Sequence, residues 1–207
     1  RTPVRMNLVA LLFAGAAIIL TGLAAPSEAM AGWLAGGSLG TAKTYDYEVG
    51  GPIDHIDDTD FAFRVFGGYT FMRNFGVVMS YVDLGEVTAD GPAFGGFTDT
   101  LPAKGLDFSA MGILPVAKQF GLFGTLGLFL WQQDVHYKDP SGNYDYEDEG
   151  ASLSYGVGAN VDLTPAHTYG IHIAYQVFTN VGDNDNSGHE YDRSFVSVGF
   201  VYRFPSK

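Results

Sequence analysis

The sequence predicts an all-β protein: an eight-stranded antiparallel up-and-down transmembrane β-barrel preceded by a cleavable signal peptide. Three observations carry this. Apolar and polar residues alternate with a period of two in segment after segment. Short and long connections alternate between those segments. An apolar targeting segment leads a chain in which only 16% of residues are charged, where about a quarter is usual for soluble domains.

The targeting segment comes first. Arg1 and Arg5 give positive charge, and Leu8 to Leu23 is almost wholly apolar. Ala29-Met30-Ala31 then supplies a small-x-small cleavage pattern. The run is short of the roughly 20 residues that a membrane helix needs. Residues 1–31 are therefore expected to be signal peptide and upstream residues, and 32–207 the barrel, with a mature start at Gly32. Residues before Met6 read either as an upstream start or as a reading artefact.

Strands are expected at 33–45, 59–71, 75–87, 103–116, 120–137, 149–163, 169–180 and 192–204. In the second, Phe61, Phe63, Val65, Tyr69 and Phe71 oppose Asp60, Ala62, Arg64 and Thr70. In the fourth and fifth, Leu106, Phe108, Leu122, Leu126, Leu128 and Leu130 are assigned to the lipid face, whereas Phe123, Phe129 and Trp131 fall on the lumen face. In the sixth, Ala151, Leu153, Tyr155, Val157, Ala159, Val161 and Leu163 oppose serine, glycine, Asn160 and Asp162. In the seventh, Tyr169, Ile171, Ile173, Tyr175 and Val177 oppose Gly170, His172, Ala174 and Gln176. In the last, Val196, Val198, Phe200, Tyr202 and Phe204 oppose Ser197, Gly199, Val201 and Arg203. An apolar, aromatic face against a small polar one fits a barrel with its apolar side outward.

Short connections fall near Met72–Asn74, Ala117–Gln119 and Thr164–Thr168. Long ones fall near Asp46–Asp58, Thr88–Pro102, Lys138–Asp148 and Val181–Tyr191. Short turns on one side and long loops on the other, with an even strand count, place the chain in the outer membrane. Closure leaves no sheet edge for hydrocarbon to meet. Acidic residues gather in the long connections, and Arg73 and Lys118 sit in short turns. The acidic loops are expected to be solvated, or bridged by divalent cations to lipopolysaccharide. A net charge of −12 argues against nucleic acid. The absence of cysteine excludes disulfides and thiolate metal sites. No cofactor is expected, and the barrel is expected to be a monomer among outer-membrane lipids.

These segments resemble the OmpA-like eight-stranded barrel family from about Trp33 to Phe204. Trp33-Leu-Ala-Gly36 resembles its opening strand, and Phe66-Gly-Gly-Tyr-Thr-Phe71 with Gly76, Tyr81 and Leu84-Gly85 its second hairpin. Gly124-Thr-Leu-Gly127 before Trp131, Leu163-Thr-Pro165, Tyr175-Gln176, Asn180-Val-Gly-Asp183 and Ser197-Val-Gly-Phe-Val-Tyr-Arg-Phe204 follow in the family's order. Members often continue into a peptidoglycan-binding domain. This sequence ends at Lys207, so cell-wall tethering is not carried over. The family's lumenal gate pairs charged side chains. The matching positions, Val78, Met111, Asn160 and His172, cannot form a carboxylate–cation pair. The resemblance also implies that Tyr202 and Phe204 form the closing aromatic signal read by the barrel-assembly machinery, besides serving as interface anchors.

Site residues follow from parity. Arg64 and Asp107 both point inward, and a bridge across the narrow interior is expected. Asp162, His172 and Arg203 are expected to form a second lumenal cluster at the short-turn mouth. The function expected is a structural barrel that displays acidic loops. A small diffusion channel, or a carrier of small or hydrophobic molecules, is the alternative; an interior about eight strands round is just filled by side chains. A lipid A-modifying enzyme is the weaker rival, because His136 with Asp134 is the one His–Asp pair placed to be considered for catalysis and spacing assigns no third group. Asp183-Asn-Asp185-Asn-Ser187-Gly188 resembles the start of a calcium loop, but Ser194 stands where the bidentate carboxylate belongs.

Overall fold

The computed structural model describes residues 32–45, 55–91, 97–139, 142–182 and 191–205. The expected signal peptide, most of the first and last long connections and the calcium-like Asp183–Gly188 segment lie outside them. The strands are β1 Gly32–Tyr45, β2 His55–Asp57, β3 Thr59–Met72, β4 Phe75–Gly91, β5 Phe97–Pro115, β6 Phe120–Asp139, β7 Gly142–Asp162, β8 Tyr169–Val181 and β9 Tyr191–Arg203. Each long strand pairs antiparallel with its neighbours. β9 pairs with β1, and β4 with β5, so the sheet closes into an eight-stranded barrel. The short β2 is no ninth stave: it continues β3 along the same edge of β4, pairing His55–Asp57 with Thr88–Asp90.

Four staves are longer than their alternation suggests. β4 and β5 stay paired out to Gly91 and Phe97, and β6 and β7 out to Asp139 and Gly142. The expected long connections at Thr88–Pro102 and Lys138–Asp148 are therefore mostly ladder. The side-chain alternation that marks a strand depends on one face meeting lipid. Beyond that slab the backbone ladder still satisfies its own donors and acceptors, and composition there reads as loop.

The alternation sorts the outside from the inside as expected. Ile173 is 60% exposed and Leu128 54%, and Leu39, Val65, Leu126 and Val198 stand out beside them. In water such an apolar surface would be costly; facing hydrocarbon it is the solvated side. Val177 departs from the outward assignment and is buried. The register between β8 and β9 shifts just beyond it, between Phe178 and Val181, where Asn180 takes a positive φ of 52°. Aromatic rings crowd the short-turn rim: Trp33 meets Tyr69 at 5.0 Å, Phe71 meets Phe75 at 5.4 Å, and Tyr169 meets Tyr202 at 5.2 Å. Amphipathic rings favour the membrane–water boundary.

One of the two glycines with a positive φ shapes a bulge. Gly85 sits at φ +69°, and a Cβ there would come within 2.6 Å of the Phe61 carbonyl oxygen. It marks the bulge where β4 slips against β5 between Asp83 and Glu86. Asp60 accepts the Glu86 N–H at 2.8 Å, and Asp83 accepts the Gly85 N–H at 3.0 Å, so the groups freed by the bulge are satisfied.

Candidate functional site

The lumen has three levels. At the long-connection end, Val82, Leu84, Phe129, Trp131, Phe178, Val181, Tyr191 and Phe195 close on one another with Ala42, Ala62 and Ala103. Phe129 and Phe178 pack with ring centres 4.5 Å apart. Trp131 donates its indole N–H to Ser152 at 2.8 Å, and Ser152 donates to the Asn180 carbonyl at 2.7 Å. This is a dry plug held by close packing. Arg193, 1% exposed, caps it. Its guanidinium donates to Thr44 at 3.1 Å and to the Gly85 carbonyl at 3.1 Å, and lies over the Tyr191 ring.

Below the plug lies a polar waist. Arg64 donates to Gln176 Oε1 at 2.8 Å, and Gln176 donates from Nε2 to Asp107 Oδ2 at 3.3 Å. Ser109 donates to Asp107 at 2.8 Å, and Ser154 donates to its other oxygen. Arg64 is 8% exposed and Asp107 1%. A carboxylate buried that deeply costs several kcal/mol unless hydrogen bonds and countercharge offset it. Here three donors and a nearby guanidinium serve. The two expected partners thus share one layer, but the bridge is not a direct ion pair. On the wall, β4 stands between them, with Val82 opposite Arg64 and Ser80 opposite Asp107. Gln176 reaches across from β8 to join them.

The third level is the short-turn mouth. Arg203 donates to Asp162 Oδ1 at 2.6 Å and to the His167 carbonyl at 3.2 Å. Asn160 donates to the same carboxylate at 2.7 Å, and the His167 ring nitrogen meets its other oxygen at 2.5 Å. His172, expected in this cluster, is not part of it; His167 from the turn takes that place. The ladder sets His172 opposite Asn160 and Gly199, one inward-facing step deeper than Asp162 opposite Gly170. There its ring meets Phe66 and Phe123 edge-on at 5.4 and 6.3 Å, and its Nε2 has no hydrogen-bond partner.

Between waist and mouth the barrel is hollow. The cavity measures about 920 Å³ and is walled by Leu34, Phe66, Val78, Met111, Phe123 and Val201 below Arg64. Phe123 therefore lines open space, whereas Phe129 and Trp131 fill the lumen. Tyr202 is half-buried in the rim, and Phe204 is exposed and donates its N–H to the Trp33 carbonyl at 2.9 Å, the last bond of the β9–β1 seam. Asp134 is held by Lys104 at 2.9 Å on the outer wall; the side chain of His136 lies outside the described residues. Among those residues no group of three or more His, Asp or Glu could hold a metal ion.

Gln176, Ser109, Ser154 and Arg193 were not singled out from sequence. Parity alone puts Gln176 beside His172 and Arg193 beside Ser197 on the inward face. What it lacked was which inward residues share a level, since that depends on register between strands.

A closed eight-stranded barrel with an apolar belt outside and a packed polar and aromatic interior is an outer-membrane β-barrel. The chain belongs to the OmpA-like transmembrane domain family, whose sequence model matches residues 28–207. Outer membrane protein A of Shigella flexneri is 26% identical over 192 residues, covering 91% of this chain and 54% of that protein. The chain spans about half the length of the curated relatives it matches. Among solved structures, Neisserial surface protein A superposes with a TM-score of 0.58 at 16% identity, covering 84% of this chain and 99% of that one. The outer membrane protein OprG from Pseudomonas aeruginosa does so with a TM-score of 0.54 at 13% identity, covering 86% and 97%. At these identities the structural likeness concerns the fold.

Proposed function

We propose that this protein is a structural outer-membrane barrel: a rigid stave-built wall that is sealed to ions, has no turnover, and displays acidic connections to lipopolysaccharide and its bridging cations. The observation that carries this reading is the stack of apolar plug on polar waist. Phe129, Trp131, Phe178 and Phe195 occupy the lumen where a conducting path would have to run. Ions entering from the short-turn side would meet a neutral Arg64–Gln176–Asp107 layer and then a dry aromatic one, where an unpaired charge costs several kcal/mol. Exposed charges outside the lumen suit the surface role. Asp58, beside Lys43 at 3.3 Å, accepts the Thr59 hydroxyl at 2.9 Å. That bond, with help from Lys43, holds its carboxyl below the ordinary range against the opposing desolvation, so it stays ionised at the cell surface. Folding would follow recognition of Tyr202 and Phe204 by the barrel-assembly machinery. Single-channel recording on the purified barrel in a planar bilayer tests the seal. The expected record is a flat baseline, and steady conductance would overturn the scaffold reading in favour of a channel.

A further inference from the structure

We propose that the outer stretch of β7, residues 143–151, is a docking edge for an extended basic peptide, which joins the sheet as one more strand and carries Lys or Arg at every second position. The inference deepens the surface role proposed above and is independent of the seal.

β7 is open on one side where it leaves the membrane. Leu153 is its last large side chain in the apolar belt, 47% exposed. From there to Gly142 the strand runs on for roughly 36 Å. Its β6 side stays paired throughout, out to Asp139 opposite Gly142. β6 is backed in turn by β5 as far as Lys138 opposite Thr98. On the other side β8 pairs with β7 only from Asp162 to Ser154. Ser152 and Leu153 are still tied to it, the first donating to the Asn180 carbonyl and the second accepting from Thr179. β8 then turns off, with φ of 52° at Asn180 and 108° at Gly182, and keeps to β9, with Val181 opposite Tyr191. Among the described residues no strand pairs with β7 on that side beyond Ser154.

Alternation tells which backbone groups face the open side. The Leu153 carbonyl accepts from Thr179 Oγ1 at 3.2 Å, so it points toward β8. Residues along an antiparallel strand turn their N–H and C=O groups alternately to one neighbour and the other. Ala151, Glu149, Glu147, Asp145 and Asn143 therefore present theirs to the open side, while Tyr144, Tyr146 and Asp148 turn theirs to β6. A row of such donors and acceptors, on a strand already held in place by its other neighbour, is a template for a further strand.

Charge selects the occupant. Asp145, Glu147 and Glu149 take alternate positions on one face of the strand, the face of Leu153. Beside them on β6 stand His136, Asp134 and Gln132, and Asp134 is already paired with Lys104 at 2.9 Å. A strand added with Lys or Arg at alternate positions sets a cation opposite each carboxylate, which favours the pairing, whereas like charges directly opposite oppose it. The same rule disfavours the two occupants nearest to hand. The chain's own connection at 183–190 carries Asp183, Asp185 and Glu190, and a second copy of β7 would bring the same three carboxylates. Tyr144 and Tyr146 take positions on the opposite face, which suits a β-branched residue between the cations.

The test uses the peptide Lys-Val-Lys-Val-Lys-Val-Lys-Val-Lys and the barrel in phosphatidylcholine nanodiscs, with empty nanodiscs as blank. Saturable one-site binding is expected. A peptide of the same composition with its lysines in one block, and one with glutamate in place of lysine, should each bind weaker by roughly tenfold or more. Amide exchange supplies the readout that charge alone would not move. Binding should slow the amides of Asp145, Glu147 and Glu149 and leave those of Tyr144, Tyr146 and Asp148, already bonded to β6, unchanged. Glu147→Pro removes one open-side donor and no β6 bond, and should weaken the peptide roughly tenfold in a barrel that still runs folded without heating. Glu147→Gln, which keeps the donor, should weaken it less. Absence of saturable binding, equal binding of the block peptide, or binding that leaves the amides of 145, 147 and 149 fast would overturn the proposal. Slow exchange at those three amides in the barrel alone would overturn it too, because the 183–190 connection or a second copy would then already cover the edge. Conductance is read separately and bears on the seal alone.

Discussion

Arg64 and Asp107 occupy one level of the lumen without touching, and Gln176 from the opposite wall accepts from the first and donates to the second. The relay makes Gln176 the residue on which two buried charges depend. Gln176→Leu should cost about 1–3 kcal/mol, the penalty for leaving buried groups unsatisfied. Asp107→Ala should cost more, about 3–5 kcal/mol, because it leaves the Arg64 guanidinium buried without countercharge. Pairing Asp107→Ala with Arg64→Met should recover much of that loss. Reversible urea unfolding in lipid vesicles measures all three, and a double variant in which the two costs simply add would mean that the two charges are not coupled.

The lipid-facing assignment gives a sharper contrast between neighbours. Leu128 projects into the apolar belt, whereas Gly127 faces the lumen, where an added Cβ would lie 2.2 Å from the Phe108 carbonyl oxygen and 2.4 Å from Ser109 Oγ. Leu128→Arg should destabilise the barrel by about 2–4 kcal/mol at mid-bilayer depth. Gly127→Ala should also destabilise it, by steric displacement of Ser109 and hence of Asp107. The two are told apart by thickness: the Leu128→Arg penalty should shrink in thin bilayers, and the Gly127→Ala penalty should not. A thickness-independent Leu128→Arg would place that side chain inside.

How much of this was legible beforehand follows from what a period of two encodes. Parity tells inside from outside, so Leu128, Ile173 and Phe200 were readable, as was the inward set of Arg64, Asp107, Asp162, His172 and Arg203. It does not give depth. His172 and Asp162 are both inward, and only the β7–β8 register shows one stacked among aromatic rings while the other pairs with Arg203. Nor does parity survive a bulge: Val177 reads outward and is buried beside the shift at Phe178. Strand ends failed for a third reason. The Asn, Asp and Gly residues of 138–148 look like a loop, and the ladder there is held by backbone bonds that composition does not record.

Gly85 supplies a local prediction. Its φ of +69° and the nearby Phe61 carbonyl exclude a side chain on two separate grounds. Gly85→Ala should cost about 1–3 kcal/mol from the conformation alone, and more from the contact. The bulge also delivers the Gly85 carbonyl to Arg193. Loss should therefore reach the cap, and backbone amides of β9 near Arg193 should exchange faster in deuterium-labelling experiments. Exchange confined to β4 would separate the bulge from the cap.

The plug makes the last prediction, and it concerns what holds the lumen shut. Phe129 and Phe178 pack tilted against each other with ring centres 4.5 Å apart and are fully buried, with Trp131 tied to Ser152 beside them. Phe129→Ala removes one ring of that pair and should cost about 3–5 kcal/mol, the usual figure for a buried aromatic truncated to alanine. Alone it should leave the baseline silent, since a cavity lined by apolar groups stays dry and the Arg64–Gln176–Asp107 layer still spans the lumen. Combined with Gln176→Ala, which cuts the relay, it should admit water from the hollow inner half and give small, irregular currents. Recording the two single variants and the pair in planar bilayers resolves the order of the barriers. If Phe129→Ala conducts by itself, the polar waist contributes nothing to the seal. If the pair stays silent while folded, the remaining rings of Phe178, Phe195 and Tyr191 close the barrel on their own.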